Sequence, residues 1–314
     1  MSEKPSNIIF AQIAGLGVTH LGALRFGVTN DQDVDILKSF TCSGVSFPQS
    51  FFSIRPSLMQ SMNAQLTGSK SMNGSCSDYD LIPFWERVQA KQKKVVVLEV
   101  GANRKTSLEN KVDCSGNSFI SEAVLLKMSS RPSSDASTFN SKKKGMKKTG
   151  IYYDENCGIK SCRSTIEENI RHVLENYFLK NQNTVFVLRD FTYKRLIEER
   201  KFKKAFRYLA TLMKSLSSIG GMSNKPQNLL TLVAGANSRE MEFPNSPKAW
   251  NNLLNKNKGR LFTYSGMQNL VLSAGSSSEN FCGTFFESEI VGKMFFHVDR
   301  KQSFQDIFDG LFQW

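Results

Sequence analysis

Residues 44–68 read GVSFPQSFFSIRPSLMQSMNAQLTG and set a strand directly before a helix. Residues 45–52 are predicted to be extended, and Ser57 follows Pro56 where a helix running to Thr67 can begin. Ser is a preferred N-cap residue, because its hydroxyl accepts a hydrogen bond from a backbone amide of the first turn. The stretch therefore predicts a strand that leads into a helix capped by Ser57.

The same alternation of apolar runs and helical patterns continues on both sides of this stretch. The predicted strands cover residues 7–14, 95–100, 185–188 and 229–234, with short ones near Leu261 and Leu270. The predicted helices cover residues 31–40, 80–91, 164–179 and 193–217, with another around Trp250. Strands that alternate with helices indicate a mainly parallel sheet covered on both faces. The predicted fold class is three-layer α/β/α, in a single domain over residues 1–314.

Composition excludes several classes of protein. The 314 residues carry 41 Lys and Arg against 28 Asp and Glu, which gives a formal net charge of +13. The apolar runs, such as VVVLEV and VFVL, are strand-sized and far shorter than the roughly 20 residues that span a bilayer. A transmembrane segment is therefore not predicted. The three histidines, His20, His172 and His297, lie far apart, so they cannot form a local zinc motif.

The N-terminus predicts a cytoplasmic protein. The sequence MSEKPSNIIFAQIAG lacks the basic and apolar regions of a secretory signal. The six cysteines include one close pair, Cys157 and Cys162, whereas a zinc ribbon needs two such pairs. Reduced thiols are the expectation for this close pair.

Much of the positive charge lies in one part of the chain. Residues 129–148 read SSRPSSDASTFNSKKKGMKK, which predicts a Ser- and Lys-rich insertion around 129–150. Its lysines could contact phosphates of a nucleic acid or an acidic surface, although no nucleic-acid-binding motif accompanies them. The candidate anion-binding residues are Lys142, Lys143, Lys144, Lys147 and Lys148.

Several motifs, in the right order, resemble the core of the alkaline phosphatase and sulfatase superfamily. Residues 44–47 (GVSF) match the family's GVxF strand, and residues 66–68 (LTG) match the close of the helix that carries the nucleophile. Residues 82–101 match the helix and strand that come next, and residues 229–240 (LLTLVAGANSRE) resemble a late strand that ends in an Asp-His pair. The resemblance implies an alkaline-phosphatase-like α/β/α fold.

The resemblance also implies where metal ligands would fall. Family members hydrolyse phosphate or sulfate esters with one or two metal ions held by Asp and His. The first-strand Asp falls at Ala14, and the Asp-His pair falls at Asn237 and Ser238. A later His falls within SAGSSSEN (residues 273–280), where the nearest candidates are Ser276, Ser277 and Ser278. These are vestigial metal positions, because neutral amide and hydroxyl oxygens do not compensate the charge of a divalent cation.

Two residues remain candidates for chemistry. The resemblance puts Ser57 at the nucleophile position, where a helix N-terminus favours an anion, and the alternative is a simple N-cap. Asp190 follows the strand VFVL and is a candidate metal ligand, with a loop cap as the alternative. Glu240 or His20 would complete a rearranged metal site.

Three functions stay open on the sequence. The first is a catalytically degenerate pseudoenzyme, without a cofactor, that binds or scaffolds an anionic ligand or a protein partner. The second is an active phosphate or sulfate ester hydrolase that uses Ser57 as nucleophile and a divalent metal ion. The third is a basic protein that binds nucleic acid or an acidic surface through residues 142–148.

Overall fold

The computed structural model describes residues 5–27, 37–53, 55–89, 94–140, 149–158, 162, 164–178, 183–221, 228–262 and 267–295. Its strands are β1 (Asn7–Ala14), β2 (Cys42–Phe47), β3 (Lys94–Val100), β4 (Val124–Met128), β5 (Thr138–Phe139), β6 (Gly150–Asp154), β7 (Thr184–Asp190), β8 (Leu229–Ala236), β9 (Asn269–Gly275) and β10 (Gly283–Phe286). Its α-helices are α1 (Thr19–Gly27), α2 (Leu58–Thr67), α3 (Phe84–Gln89), α4 (Ile166–Val173), α5 (Thr192–Glu198), α6 (Phe202–Ser217), α7 (Pro247–Lys256) and α8 (Ile290–Phe295).

One mixed, mostly parallel sheet contains these strands in the order β10-β2-β9-β8-β1-β7-β3-β4-β6-β5. Only β9 among them runs against its neighbours, pairing antiparallel with both β2 and β8. The carboxyl ends of β1, β2, β3, β7 and β8 therefore lie at the same edge of the sheet, which we call the carboxyl edge.

Apolar layers cover both faces of the sheet. Every residue of β1 is buried, as expected of a parallel strand between two layers of helices. Side chains alternate along a strand, so Ile9, Ala11 and Ile13 enter one cluster with α1, α4, α5 and α6. Ile8 and Phe10 enter the other, with α3 and α8. The predicted three-layer α/β/α fold is confirmed.

Some predicted elements need correction. The helix predicted over 193–217 is two helices, because Arg200 adopts a left-handed φ of 57° and ends α5 before α6 begins. The helix predicted from residue 164 has its N-cap at Thr165, whose side chain accepts from the Glu168 amide in a capping box. Strands β4, β5 and β6 were not predicted, although the run Val124–Met128 is fully buried. The prediction for residues 31–40 and the lysines of 142–148 lie largely or wholly outside the described residues.

The expectation of reduced cysteines is wrong. All six cysteines are paired, as Cys42–Cys282, Cys76–Cys114 and Cys157–Cys162. The first pair joins the region of β2 to that of β10 across a sequence separation of 240 residues, so a reader of the sequence has no local signal for it. Among the described residues, no helix is both long and apolar enough to cross a bilayer.

Candidate functional site

The candidate site lies at the carboxyl edge, where the sheet brings distant positions together. In the sheet, Ile13 pairs with Asp190 and Ala14 pairs with Ala236, so the ends of β1, β7 and β8 are neighbours. Asn237 follows β8 directly, and its side-chain amide donates a hydrogen bond to the Pro56 carbonyl at 3.3 Å. The residues Ala14, Asp190, Asn237 and Ser57 therefore converge on one edge of the sheet.

Ala14 lies in an apolar cluster. It is fully buried and packs with Met62, Phe191 and Ala236. Leu58, Met59 and Ala102 pack against the same cluster from α2 and from the loop after β3. The apolar side chains that pack on Ala14 offer no oxygen ligand.

Lys194, in the first turn of α5, reaches the residue that follows β8. Its Nζ donates to Oδ1 of Asn237 at 2.5 Å. Burial lowers the pKa of Lys194, the charge of Glu198 raises it, and the charge of Arg239 lowers it again. The Glu198 carboxylate is 3.9 Å away and half exposed, so it offsets little of the ammonium charge.

Gly15 permits the close approach of α5 to β1. It adopts a left-handed φ of +83°, and a Cβ at this position would lie only 3.0 Å from Cβ of Lys194. A residue with a side chain would therefore be strained and would push the lysine away from Asn237.

Ser57 caps α2 and borders a cleft. Its hydroxyl accepts from the Gln60 amide at 3.3 Å, and its own amide donates to Oε1 of Gln60 at 2.7 Å, which forms a complete capping box. The adjacent cleft has a volume of about 360 Å³, and its lining includes Ser57, Gln60, Tyr79 and Lys111. Ser57 therefore combines the N-cap role with access to the cleft.

Asp190 uses its carboxylate to hold α5 and α6. It accepts from the Tyr193 amide at 2.9 Å, the Thr192 amide at 3.3 Å and the Tyr208 hydroxyl at 2.6 Å. Burial raises the pKa of Asp190 to about 6, while these hydrogen bonds act in the opposite direction. This arrangement is that of a helix cap.

Glu240 and His20 are also engaged in local structure. The Glu240 carboxylate accepts from the Val18 and Thr19 amides at the start of α1, and from the Thr19 hydroxyl. His20 is fully buried, accepts from the Gly17 amide at 3.2 Å and packs edge-on against Tyr193. Burial lowers the pKa of His20 to about 4, so the ring is neutral at physiological pH.

The segment SAGSSSEN lies at the opposite edge of the sheet, which corrects its assignment as a metal position. The Ser276 amide donates to the carbonyl of Leu229, the first residue of β8, and the Ser278 hydroxyl lies 2.9 Å from that of Thr41. Because β9 is antiparallel to β8, it is the start of β9 that reaches the carboxyl edge. There, Asn269 accepts from the Ser238 amide at 2.8 Å.

Known structures share this architecture. The alkaline phosphatase from the Antarctic bacterium TAB5 has a TM-score of 0.68 and 13% identity, over 94% of this chain and 98% of that one. A cold-active alkaline phosphatase from the psychrophile Shewanella sp. gives 0.68 and 12%, over 92% and 98%. The alkaline phosphatase of Thermus thermophilus gives 0.63 and 9%, over 93% and 91%.

The chain has the alkaline phosphatase fold. No family model matches the sequence, and no curated protein matches it. The motifs that resembled this core are thereby confirmed at the level of the fold, which spans nearly the whole of each compared phosphatase.

The metal ions implied by the alkaline phosphatase fold do not fit the residues present. Ala14 offers no donor atom, and Oδ1 of Asn237 accepts from an ammonium, which would repel a cation at that oxygen. The carboxylates of Asp190 and Glu240 accept from backbone amides. In the part of the chain that the structure describes, no group of three or more His, Cys, Asp or Glu side chains is arranged to hold a metal ion.

Two buried polar networks at the site were not predicted. Arg189 pairs with Glu99 at 2.6 Å with neither side chain exposed, and Glu99 also accepts from Ser107 and Leu108 of the loop after β3. The signal available in the sequence was the opposite charges of Glu99 and Arg189, each near the end of a predicted strand.

The second network centres on Glu287, which follows β10. One of its oxygens accepts from Ser61 at 2.6 Å, Gln65 at 2.9 Å and Asn269 at 2.7 Å. Burial raises the pKa of Glu287 to about 7, and the three donors lower it. Gln65 in turn donates to the Gly235 carbonyl, so this network fixes α2, and with it Ser57, across the ends of the strands.

Proposed function

We propose that this protein is a metal-independent pseudoenzyme that binds a small anion at the carboxyl edge of an alkaline phosphatase fold. The observation that carries the proposal is the hydrogen bond from the Lys194 ammonium to Asn237. It supplies a fixed positive charge among the strand ends, at a position where the resemblance implies metal ligands.

The chemistry of the ammonium favours an anionic ligand. An ammonium has three N–H donors, and the neutral amide of Asn237 takes one of them without compensating its charge. Arg239 adds a second positive charge that is close enough to lower the pKa of Lys194. Two cations with little acidic compensation attract a phosphate or sulfate group.

Titration calorimetry with inorganic phosphate and sulfate, on metal-depleted protein, tests this function. Lys194→Met is expected to weaken anion binding about tenfold to a hundredfold, the value of one hydrogen bond to a charged group. Lys203→Met is the matched control, because Lys203 also donates to an Asn side chain, at 3.1 Å, but on the exposed start of α6. Equal affinity of wild type and Lys194→Met would contradict the proposal.

The competing function is an ester hydrolase that uses Ser57. The exposure of Ser57 beside the cleft favours the hydrolase. Against it, the one hydrogen bond of the Ser57 hydroxyl within the described residues is the one from the Gln60 amide, so no general base contacts the hydroxyl there. Elemental analysis and a panel of phosphate and sulfate esters distinguish the two. Stoichiometric zinc, calcium or manganese, together with turnover that disappears in Ser57→Ala, would replace the binding function by the hydrolase.

We also propose an oxidising compartment in place of the cytosol. Disulfides persist in oxidising environments, whereas cytosolic thiols are kept reduced. The three pairs, Cys42–Cys282, Cys76–Cys114 and Cys157–Cys162, favour the former. If the pairs form in the cell, mass spectrometry of protein alkylated directly after cell lysis would find all six cysteines unalkylated, because the reagent modifies only free thiols.

A further inference from the structure

Two adjacent phenylalanines project from the loop that joins β2 to α2. Phe51 is 72% exposed and Phe52 is 65% exposed, the two largest values among the exposed large apolar side chains of the described residues. The backbone beneath them is held, because the Phe51 amide donates to the Lys70 carbonyl at 3.1 Å and the Ser50 hydroxyl donates to the Met72 carbonyl at 2.8 Å. We call Phe51 and Phe52 the aromatic tip.

The loops around the aromatic tip contain four basic residues and no acidic one, and the Asp78 carboxylate, which accepts from the Asn73 and Gly74 amides, is buried. Residues 48–57, 69–77 and 101–107 contain Arg55, Lys70, Arg104 and Lys105 and no Asp or Glu. The chain has no acidic residue at all between Asp35 and Asp78.

These three loops are contiguous in space. The hydrogen bonds of Phe51 and Ser50 join the first loop to the second. Ala102 of the third loop packs in the cluster that contains Leu58 and Met59, at the beginning of α2. The result is one surface that combines an apolar projection with basic residues on neighbouring loops.

We propose that this surface docks on an anionic membrane, with the aromatic tip inserted at the level of the lipid headgroups. Exposed aromatic side chains gain by entering the interface, and basic residues near an anionic bilayer are attracted to it. A projecting tip needs no complementary pocket in a lipid phase.

The charge pattern disfavours a second copy of the chain as the occupant. A symmetric dimer would bring the same surface patch of both subunits together, and the four cations of each copy would then face one another. A membrane that carries negative headgroups meets no such repulsion.

Co-sedimentation of the full chain with vesicles tests the proposal. The wild type is expected to bind vesicles that contain about one third phosphatidylserine, and to bind pure phosphatidylcholine far more weakly. The double variant Phe51→Ser/Phe52→Ser is expected to lose on the order of a hundredfold in partitioning, since each buried Phe contributes about tenfold or more.

The control variant is Phe262→Ser. Phe262 is 45% exposed. Its neighbour Leu261 packs against the apolar cluster that contains α1, α4, α5 and α6, on the face of the sheet opposite to α3 and α8. This variant is expected to bind vesicles like the wild type. Arg104→Ser/Lys105→Ser is expected to weaken binding about fivefold per charge, an effect that salt diminishes.

Three results would overturn the membrane proposal. The first is that the wild type does not bind the anionic vesicles. The second is that the Phe51→Ser/Phe52→Ser variant binds them as well as the wild type does. This second result includes the case in which neutralising the lysines of residues 142–148 removes binding instead. The third is a wild-type dimer in light scattering that becomes monomeric in the double variant without vesicle binding. The proposal is independent of anion binding, so Lys194→Met is expected to bind vesicles normally.

Discussion

Two buried carboxylates near the carboxyl edge are stabilised in different ways. Glu99 lies beside the Arg189 guanidinium at 2.6 Å, with Ser107 as a further donor. Glu287 receives three neutral donors on one oxygen, and its other oxygen has no partner among the described residues. Glu99 is paired with a cation, whereas Glu287 has none, and its burial raises its pKa to about 7 although the three donors act in the opposite direction.

Glu99 is therefore part of a buried ion pair, whereas Glu287 is buried among neutral partners and has a raised pKa. Both networks hold the site, since Glu99 fixes the loop after β3 and Glu287 fixes α2. Stability measurements on variants can separate the two behaviours.

The largest expected effect comes from breaking the ion pair. Arg189→Met leaves Glu99 as a buried carboxylate without its cation, and this is expected to cost about 3–5 kcal/mol in the free energy of unfolding. Urea unfolding at neutral pH measures it. The double variant Arg189→Met/Glu99→Leu is expected to recover most of the loss, and a single-variant cost below about 1 kcal/mol would show that the pair is not closed.

The next effect is the pH dependence of the second network. The pKa of Glu287 is raised on folding from 4.5 to about 7, so the folded state binds the proton more tightly. Stability from this group is complete below the unfolded pKa and is lost as pH rises through the folded one, by about 3 kcal/mol in all. Asp190, whose pKa is also raised, contributes with the same sign up to about pH 6.

Glu287→Gln removes the titration of Glu287 and leaves that of Asp190. The free energy of unfolding of the variant relative to wild type is therefore expected to increase between about pH 5 and pH 8. Urea unfolding at several pH values measures the difference. A difference that stays constant over this range would mean that Glu287 does not titrate there.

The smallest effect compares two matched serines. Ser61 donates to Glu287 and Ser107 donates to Glu99, both at 2.6 Å. Ser61→Ala is expected to cost about 1 kcal/mol at pH 5, where its partner is protonated, and about 2 kcal/mol at pH 8, where it is charged. Ser107→Ala, which removes a donor to the carboxylate that pairs with Arg189, is the matched control, and an equal increase of the cost with pH in both variants would contradict the assignment of the effect to Glu287.

The sequence was sufficient for the fold class and for the residue types at Ala14 and Asn237. Strand β1 agrees with the predicted residues 7–14, because a continuous apolar run between polar segments is a local property. The absence of a carboxylate at Ala14 and Asn237, where the resemblance implies metal ligands, was equally visible in the sequence. The serines of residues 276–278 were misplaced, since the direction of β9 depends on which strands it joins.

What the sequence alone determined was the alternation of strands and helices, the position of Ser57 as an N-cap and the scarcity of metal-ligating side chains, because each depends on neighbouring residues. Only the tertiary structure decided the partners. Lys194 meets Asn237 across 43 positions, Ser61 meets Glu287 across 226, and Cys42 meets Cys282 across 240. Contacts over such separations arise from the packing of the whole sheet, which no local pattern encodes.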